Sequence, residues 1–267
     1  MFVVPVIAMQ LVGIGRLFEP YGVDYTVTVF TLVAVFIIYT TFAGMRGDVY
    51  TDALQGLLMV FGIAFVAYLA MNSSSGVAET SASDSGVLLY SLPGPNGLFT
   101  FERNVSLAIM MFALPIAHGH YIMRFMIAKN STELSKAMPI AFLAVFALYS
   151  IAAYVGLAGA TAVEPLESGD QLVGTLLQAS SSQIGHLLAF VGGLILACVV
   201  AAALSSVDSQ FIALSASAIR DVVTNLLEVN LSEKIQLVFA RGIMVLIGVS
   251  ALMLSLDPPQ LIVQLAV

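Results

Sequence analysis

The stretch Phe190-Val191-Gly192-Gly193-Leu194-Ile195-Leu196-Ala197-Cys198-Val199-Val200-Ala201-Ala202-Ala203-Leu204, continuing as Ser205-Ser206-Val207-Asp208-Ser209-Gln210, decides how the rest of the chain is read. It lies inside an apolar run from Ile184 to Ser217. A helix needs roughly 20 mostly apolar residues to cross a hydrocarbon core of about 30 Å, and this run exceeds that. The whole chain shares its character. Of its 267 residues, 60% are hydrophobic and only 9% charged, and its mean hydropathy is +1.01, values that a water-soluble domain does not tolerate. The bilayer is therefore the solvent.

Working outward, further apolar runs predict helices at Phe2–Gly15, Thr26–Phe42, Tyr50–Met71, Val105–Met123, Ala137–Ala160 and Ile235–Leu254, with another beginning near Pro259. Seven to eight membrane helices result. A closed barrel is the other way to satisfy backbone polar groups in lipid, but its strands alternate apolar and polar residues, whereas these runs are continuously apolar. The expected fold class is all-α, as a single membrane domain over 1–267. The Ser-, Gly- and Pro-rich segment 72–103 reads as its longest loop. Both ends of the chain fall within apolar runs, so the sequence is expected to be truncated at each end. Cys198 has no cysteine partner in the chain and reads as a small packed residue.

Basic residues are retained on the cytoplasmic side. One set of alternate loops carries Arg46, then Arg124, Lys129 and Lys136, then Arg220 and Lys234, while the other carries Arg16 and Arg103. The N-terminus is thus expected in the cytoplasm, with 72–103 and Thr161–Gln183 facing outward. The net charge of -7 concentrates in connecting segments such as Glu164, Glu167 and Asp170 and gives no electrostatic footprint for nucleic acid.

At 100° per residue, Ala202, Ser205, Ser206, Ser209, Ala213, Ala216 and Ser217 share one small, hydroxylated arc, and Leu204, Val207, Phe211 and Leu214 lie opposite. Small residues permit close helix packing, and serines return hydrogen bonds to their own backbone. A cation site is the competing reading. Asp208 favours it, because a carboxylate within a membrane helix marks an ion path, a proton relay or a buried pair. Hydroxyls and backbone carbonyls can replace the water shell of a hard cation. Spacing alone leaves packing and cation binding open. His118 and His120 lack an acid or cysteine cluster and read as solvated rather than metal-binding.

The stretch from Ala202 to Asp221 resembles the signature of the sodium:solute symporter family, with its Ser-Ser/Thr pair followed by a run ending in a polar pair such as Arg220-Asp221. Ile38-Tyr39-Thr40-Thr41-Phe42-Ala43-Gly44-Met45-Arg46 and Thr51-Asp52-Ala53-Leu54-Gln55-Gly56 are similar to the family's fourth and fifth core helices, departing at Ala43, where the family usually has glycine. The segment from Ala117 through Arg124 to Lys129 is similar too, with Gly119 where the family commonly has proline. The resemblance implies two inverted five-helix repeats holding solute and sodium near the midplane. The first helix here would be core helix three, which starts in the cytoplasm, as the charge distribution independently predicts.

By the same resemblance, sodium would be bound by the Ala202 carbonyl and the Ser205 and Ser206 hydroxyls, with the remaining ligands on a first core helix that the chain is expected to lack. Asp52 matches an acid associated with the inner sodium pathway, although an Asp in a helix's first turn also suits the macrodipole. Asp208 and Ser209 are further ion-pathway candidates. Gln55 and Tyr39 match the family pattern, and polar packing explains each equally well. The expected function is sodium-coupled import of a small polar solute across the cell membrane by alternating access, with pantothenate, proline or a monocarboxylate as solute. A symporter-like sensor module is the alternative. No phosphate loop, zinc-protease helix or nucleophile elbow supports catalysis, and sodium as coupling ion is the sole ionic requirement expected.

Overall fold

The computed structural model describes residues 3–73, 100–117, 119–126, 128, 130–162, 166, 168, 169–184, 186–229 and 231–257. Among these, every regular element is helical. Most of the long loop, His118, Lys129, Glu164, Glu167 and the helix expected near Pro259 lie outside the described residues. The chain forms two compact units, one of residues 1–62 and 166–267, the other of residues 63–165.

The first unit begins with α1 (Val3–Phe18), a 3-10 turn (Glu19–Tyr21) and α2 (Tyr25–Ser73). Gly22 closes the turn at φ 76°, a left-handed conformation that glycine adopts without strain, and its N–H bonds the Glu19 carbonyl at 2.8 Å. Asp24 caps α2, its Oδ1 accepting from the Val27 N–H at 3.0 Å.

Where the sequence predicts two helices, Thr26–Phe42 and Tyr50–Met71, α2 is one unbroken helix of 49 residues. It cannot be straight. The Tyr39 hydroxyl donates to Thr51 Oγ1 at 2.7 Å across 12 residues, and a straight helix would separate those positions by about 18 Å along its axis. The axis bends sharply between them, so α2 makes two passes, as the sequence predicts, without leaving helical geometry.

The rest of this unit comprises a 3-10 turn (Gly169–Gln171), α6 (Leu172–Ile184), α7 (His186–Ser217), a π-helical segment (Ala218–Leu226) and α8 (Glu233–Leu256). The Thr161–Gln183 segment is therefore not simply a loop. Its apolar residues, Leu172, Val173, Leu176 and Leu177, recur at helical spacing, but 13 residues are too few to register as a span.

Ile7, Leu11 and Ile14 of α1, Val29, Val33 and Phe36 of α2, Ala203, Val207 and Phe211 of α7, and Met244, Ile247 and Ala251 of α8 form one buried cluster. Lipid is as apolar as leucine, so such a core coheres by close contact rather than by escape from water. Val207 and Phe211, from the bulky side of α7, both lie in this core.

One end of the unit gathers three connections. Arg16 Nη1 bonds Glu19 Oε1 at 2.8 Å, and Gln171 Nε2 bonds Glu19 Oε2 at 2.7 Å. A Cβ on Gly174 would collide with the Leu17 carbonyl, so α6 lies directly on the end of α1. The Tyr25 hydroxyl reaches the Ser255 carbonyl at 2.6 Å, bringing the last turn of α8 to the same end. Arg16, Asp170 and the end of α8, all assigned to the outer side by the charge pattern, thus lie together.

The second unit continues from α2 through α3 (Phe101–Ala117), α4 (Gly119–Met126) and α5 (Ser131–Ala162). The helix expected at Val105–Met123 is covered by α3 and α4, with His118 between them outside the described residues. Asn130 Oδ1 caps α5 by accepting from the Glu133 N–H at 2.8 Å. Ile140, Phe142, Phe146 and Tyr149 on α5 are all exposed, the surface expected of a lipid-facing helix. Counted by length and composition, five described helices can cross a membrane, and Tyr25–Thr41 is a shorter apolar segment.

Candidate functional site

The site is built on one turn of α7. Ser205 Oγ donates to the Ala202 carbonyl at 2.7 Å, and Ser206 Oγ donates to the same carbonyl at 3.4 Å. A serine hydroxyl has one proton and two lone pairs. With both protons turned inward, the two hydroxyls present lone pairs outward, and three oxygens are gathered within a single turn. One turn further on, Ser209 Oγ donates to the Ser205 carbonyl at 3.1 Å and repeats the arrangement.

Burial differs between the two sides of this helix. Ala203, Val207 and Phe211 are buried, whereas Ala202, Ser205 and Ser206 are only half-buried. The helix packs by its bulky side, and the hydroxylated turn is not the closely packed surface here. Ser209 is 5% exposed and the neighbouring Asp208 1% exposed, so the next turn is buried, and the arc opens again at Ala213, Ala216 and Ser217. Asp208 Oδ1 accepts from the Ser209 backbone N–H at 2.8 Å.

The direction of α7 follows from its surroundings. Its C-terminal end leads into the π-helical segment, which packs against α8, whose opposite end lies at Tyr25. So α7 runs away from the Tyr25 end. The second pass of α2 starts at Thr51, beside Tyr39, and returns. The two are antiparallel, and a Cβ on Gly62 would lie 3.4 Å from Cys198 Cβ. From that contact, seven residues along each chain bring Gln55 (62 − 7) level with Ser205 (198 + 7), and ten bring Asp52 (62 − 10) level with Asp208 (198 + 10). Both Asp52 and Asp208 have a further partner of their own.

Counted from that one approach, Asp52 and Gln55 fall along the stretch of α7 that carries Ala202, Ser205, Ser206, Asp208 and Ser209. Two buried glutamine oxygens, Oε1 of Gln55 and Oε1 of Gln210, accept no hydrogen bond. Sequence reading gives Gln210 no role and leaves Gln55 open between the family pattern and polar packing, because orphaning is a property of the packed interior. Among the described residues, no group of three or more His, Cys, Asp and Glu could hold a metal ion.

Apolar helices long enough to cross a bilayer, and an unbroken helix of 49 residues that bends back on itself, mark an integral membrane protein. The profile described as the sodium:solute symporter family matches residues 1–267, and the chain belongs to that family. It is 27% identical over 261 residues to a sodium/pantothenate symporter from Haemophilus influenzae, covering 96% of this chain and 53% of that protein. It is 27% identical over 265 residues to an osmoregulated proline transporter from Bacillus subtilis, covering 96% and 51%. The chain spans about half the length of these curated relatives. Among solved structures, a sodium-coupled sialic acid symporter in a substrate-bound outward-open state matches with a TM-score of 0.73 at 18% identity, over 96% of this chain and 56% of that one. At that identity the likeness establishes the fold.

Proposed function

We propose that this chain is the sodium-binding and scaffold part of a symporter that imports a small polar organic solute by alternating access. One observation carries the reading: the Ser205 and Ser206 hydroxyls both spend their protons on the Ala202 carbonyl and offer lone pairs from one half-buried turn. Neutral oxygens gathered in this way can replace part of the hydration shell of a sodium ion without adding net charge to the membrane interior. Asp52, Asp208 and Ser209, lying toward the far end, would line the ion's route to the cytoplasm. The resemblance to a pantothenate and a proline transporter supports one of these two solutes. The protein would sit in the cell membrane with Met1 of this sequence on the cytoplasmic side and the Glu19–Gln171 contact outside.

The test is uptake of radiolabelled pantothenate or proline into proteoliposomes containing the full-length protein, with an inward sodium gradient or with choline in its place. Uptake should require sodium, and sodium-independent uptake would overturn the coupling.

A further inference from the structure

We propose that Gln55 contributes a further oxygen to the cation held by the Ser205 and Ser206 turn, an inference that rests on the sodium reading above. Gln55 is 8% exposed, and its Oε1 is buried without a hydrogen-bond donor. Within a membrane protein a buried carbonyl left without a donor is costly, since lipid supplies none. Leucine, of similar size, would carry no such cost. Thr51, one turn earlier on the same helix, is partnered by Tyr39.

The antiparallel register brings Gln55 level with Ser205. Ser205 cannot satisfy the glutamine oxygen, because its only side-chain proton is committed to the Ala202 carbonyl. Two acceptors without a donor between them repel. A cation between them is attracted to both, and an amide carbonyl is a strong neutral ligand for a hard cation. The arrangement places oxygens on two helices, α2 and α7, which a single turn of α7 cannot do. It also makes sodium occupancy a brace between those helices, so binding should be visible as stabilisation.

The experiment follows the thermal unfolding of the full-length protein in detergent as sodium chloride replaces choline chloride at constant ionic strength. Sodium should raise the midpoint of the unmodified protein. Gln55→Leu should raise the half-saturating sodium concentration by about tenfold, the size expected for one oxygen contact to a charged group. Its midpoint in choline should be equal or higher, because the stranded carbonyl is gone. Gln55→Asn keeps the amide but withdraws it by one methylene, and should also raise the half-saturating concentration. If Ser206→Ala shifts that concentration while whichever Gln55 variants fold leave it unchanged, Gln55 is a packing residue and this proposal fails alone. If Ser206→Ala leaves it unchanged too, the sodium assignment of the whole turn fails.

Discussion

The Tyr25 hydroxyl donates a 2.6 Å hydrogen bond to the Ser255 carbonyl, joining the first residue of α2 to the last turn of α8 across 230 positions of sequence. The last carbonyls of a helix have no partner within it, so this bond satisfies a group that lipid could not. Tyr25→Phe should destabilise the protein by about 1 kcal/mol. The Arg16 guanidinium, 5.0 Å from the centre of the Tyr25 ring, would keep its stacking partner in the variant. Thermal unfolding in detergent at matched protein concentration measures the difference, and an unchanged midpoint would show that another donor replaces the hydroxyl.

Gly15 explains why the ring can sit where it does. A Cβ at that position would lie 2.5 Å from Tyr25 Cε2 and 3.0 Å from Val29 Cγ2. Gly15→Ala should therefore displace the ring and cost about 1–3 kcal/mol, as overpacking does. Gly13, with open space at its Cβ, should accept alanine neutrally or with a slight gain in helix propensity. Because the displaced ring loses its hold on Ser255, Gly15→Ala and Tyr25→Phe should be non-additive in a double-mutant cycle. Strict additivity would separate the two effects.

The charge pattern and the gathered connections at the Glu19 end make a topological prediction. With Cys198 changed to serine, a cysteine in place of Asp170 should react with an impermeant maleimide added outside intact cells. One in place of Lys234 should react only after the membrane is opened. Equal labelling of both from outside would invert or dissolve the proposed orientation.

Ser205→Ala and Ser206→Ala each remove one hydroxyl from the turn without creating a large cavity. In the full-length protein, each should raise the half-saturating sodium concentration for uptake by about tenfold, at unchanged membrane level. Ser215, 2% exposed and bonded to the Ile212 carbonyl at 3.0 Å, is a control on the same helix. Ser215→Ala should affect stability rather than sodium. Unchanged sodium dependence in both site variants would leave the serines as ordinary helix hydroxyls.

How much of this was legible in the sequence differs from one element to the next. The division of α7 into a bulky and a hydroxylated side was, because Val207 and Phe211 recur at helical spacing, but which side packs against the core was not. The family was legible in the residues from Ala202 to Asp221, and the profile bears it out. The unbroken bend of α2 was not: the polar residues around Arg46 look like a loop, and only the Tyr39–Thr51 bond shows that the chain turns while remaining helical. Nor was α6, since a 13-residue apolar helix packed on protein leaves the same trace as a loop with scattered leucines. The orphaned oxygen of Gln55 depends on what every neighbour does with its protons, and no spacing rule encodes that.

The bond between Tyr39 and Thr51 also bears on how the protein is made. Both partners come from a short local stretch, so the two passes of α2 can fasten to each other before α7 has left the ribosome. A pair of spans that closes on itself can enter the bilayer as one insertion unit, its internal polar group already matched, where a lone span carrying Thr51 and Asp52 would have to part with water unaided. Delaying that closure, as Tyr39→Phe would, should therefore tell first on the yield of inserted protein during synthesis, before it tells on the finished molecule.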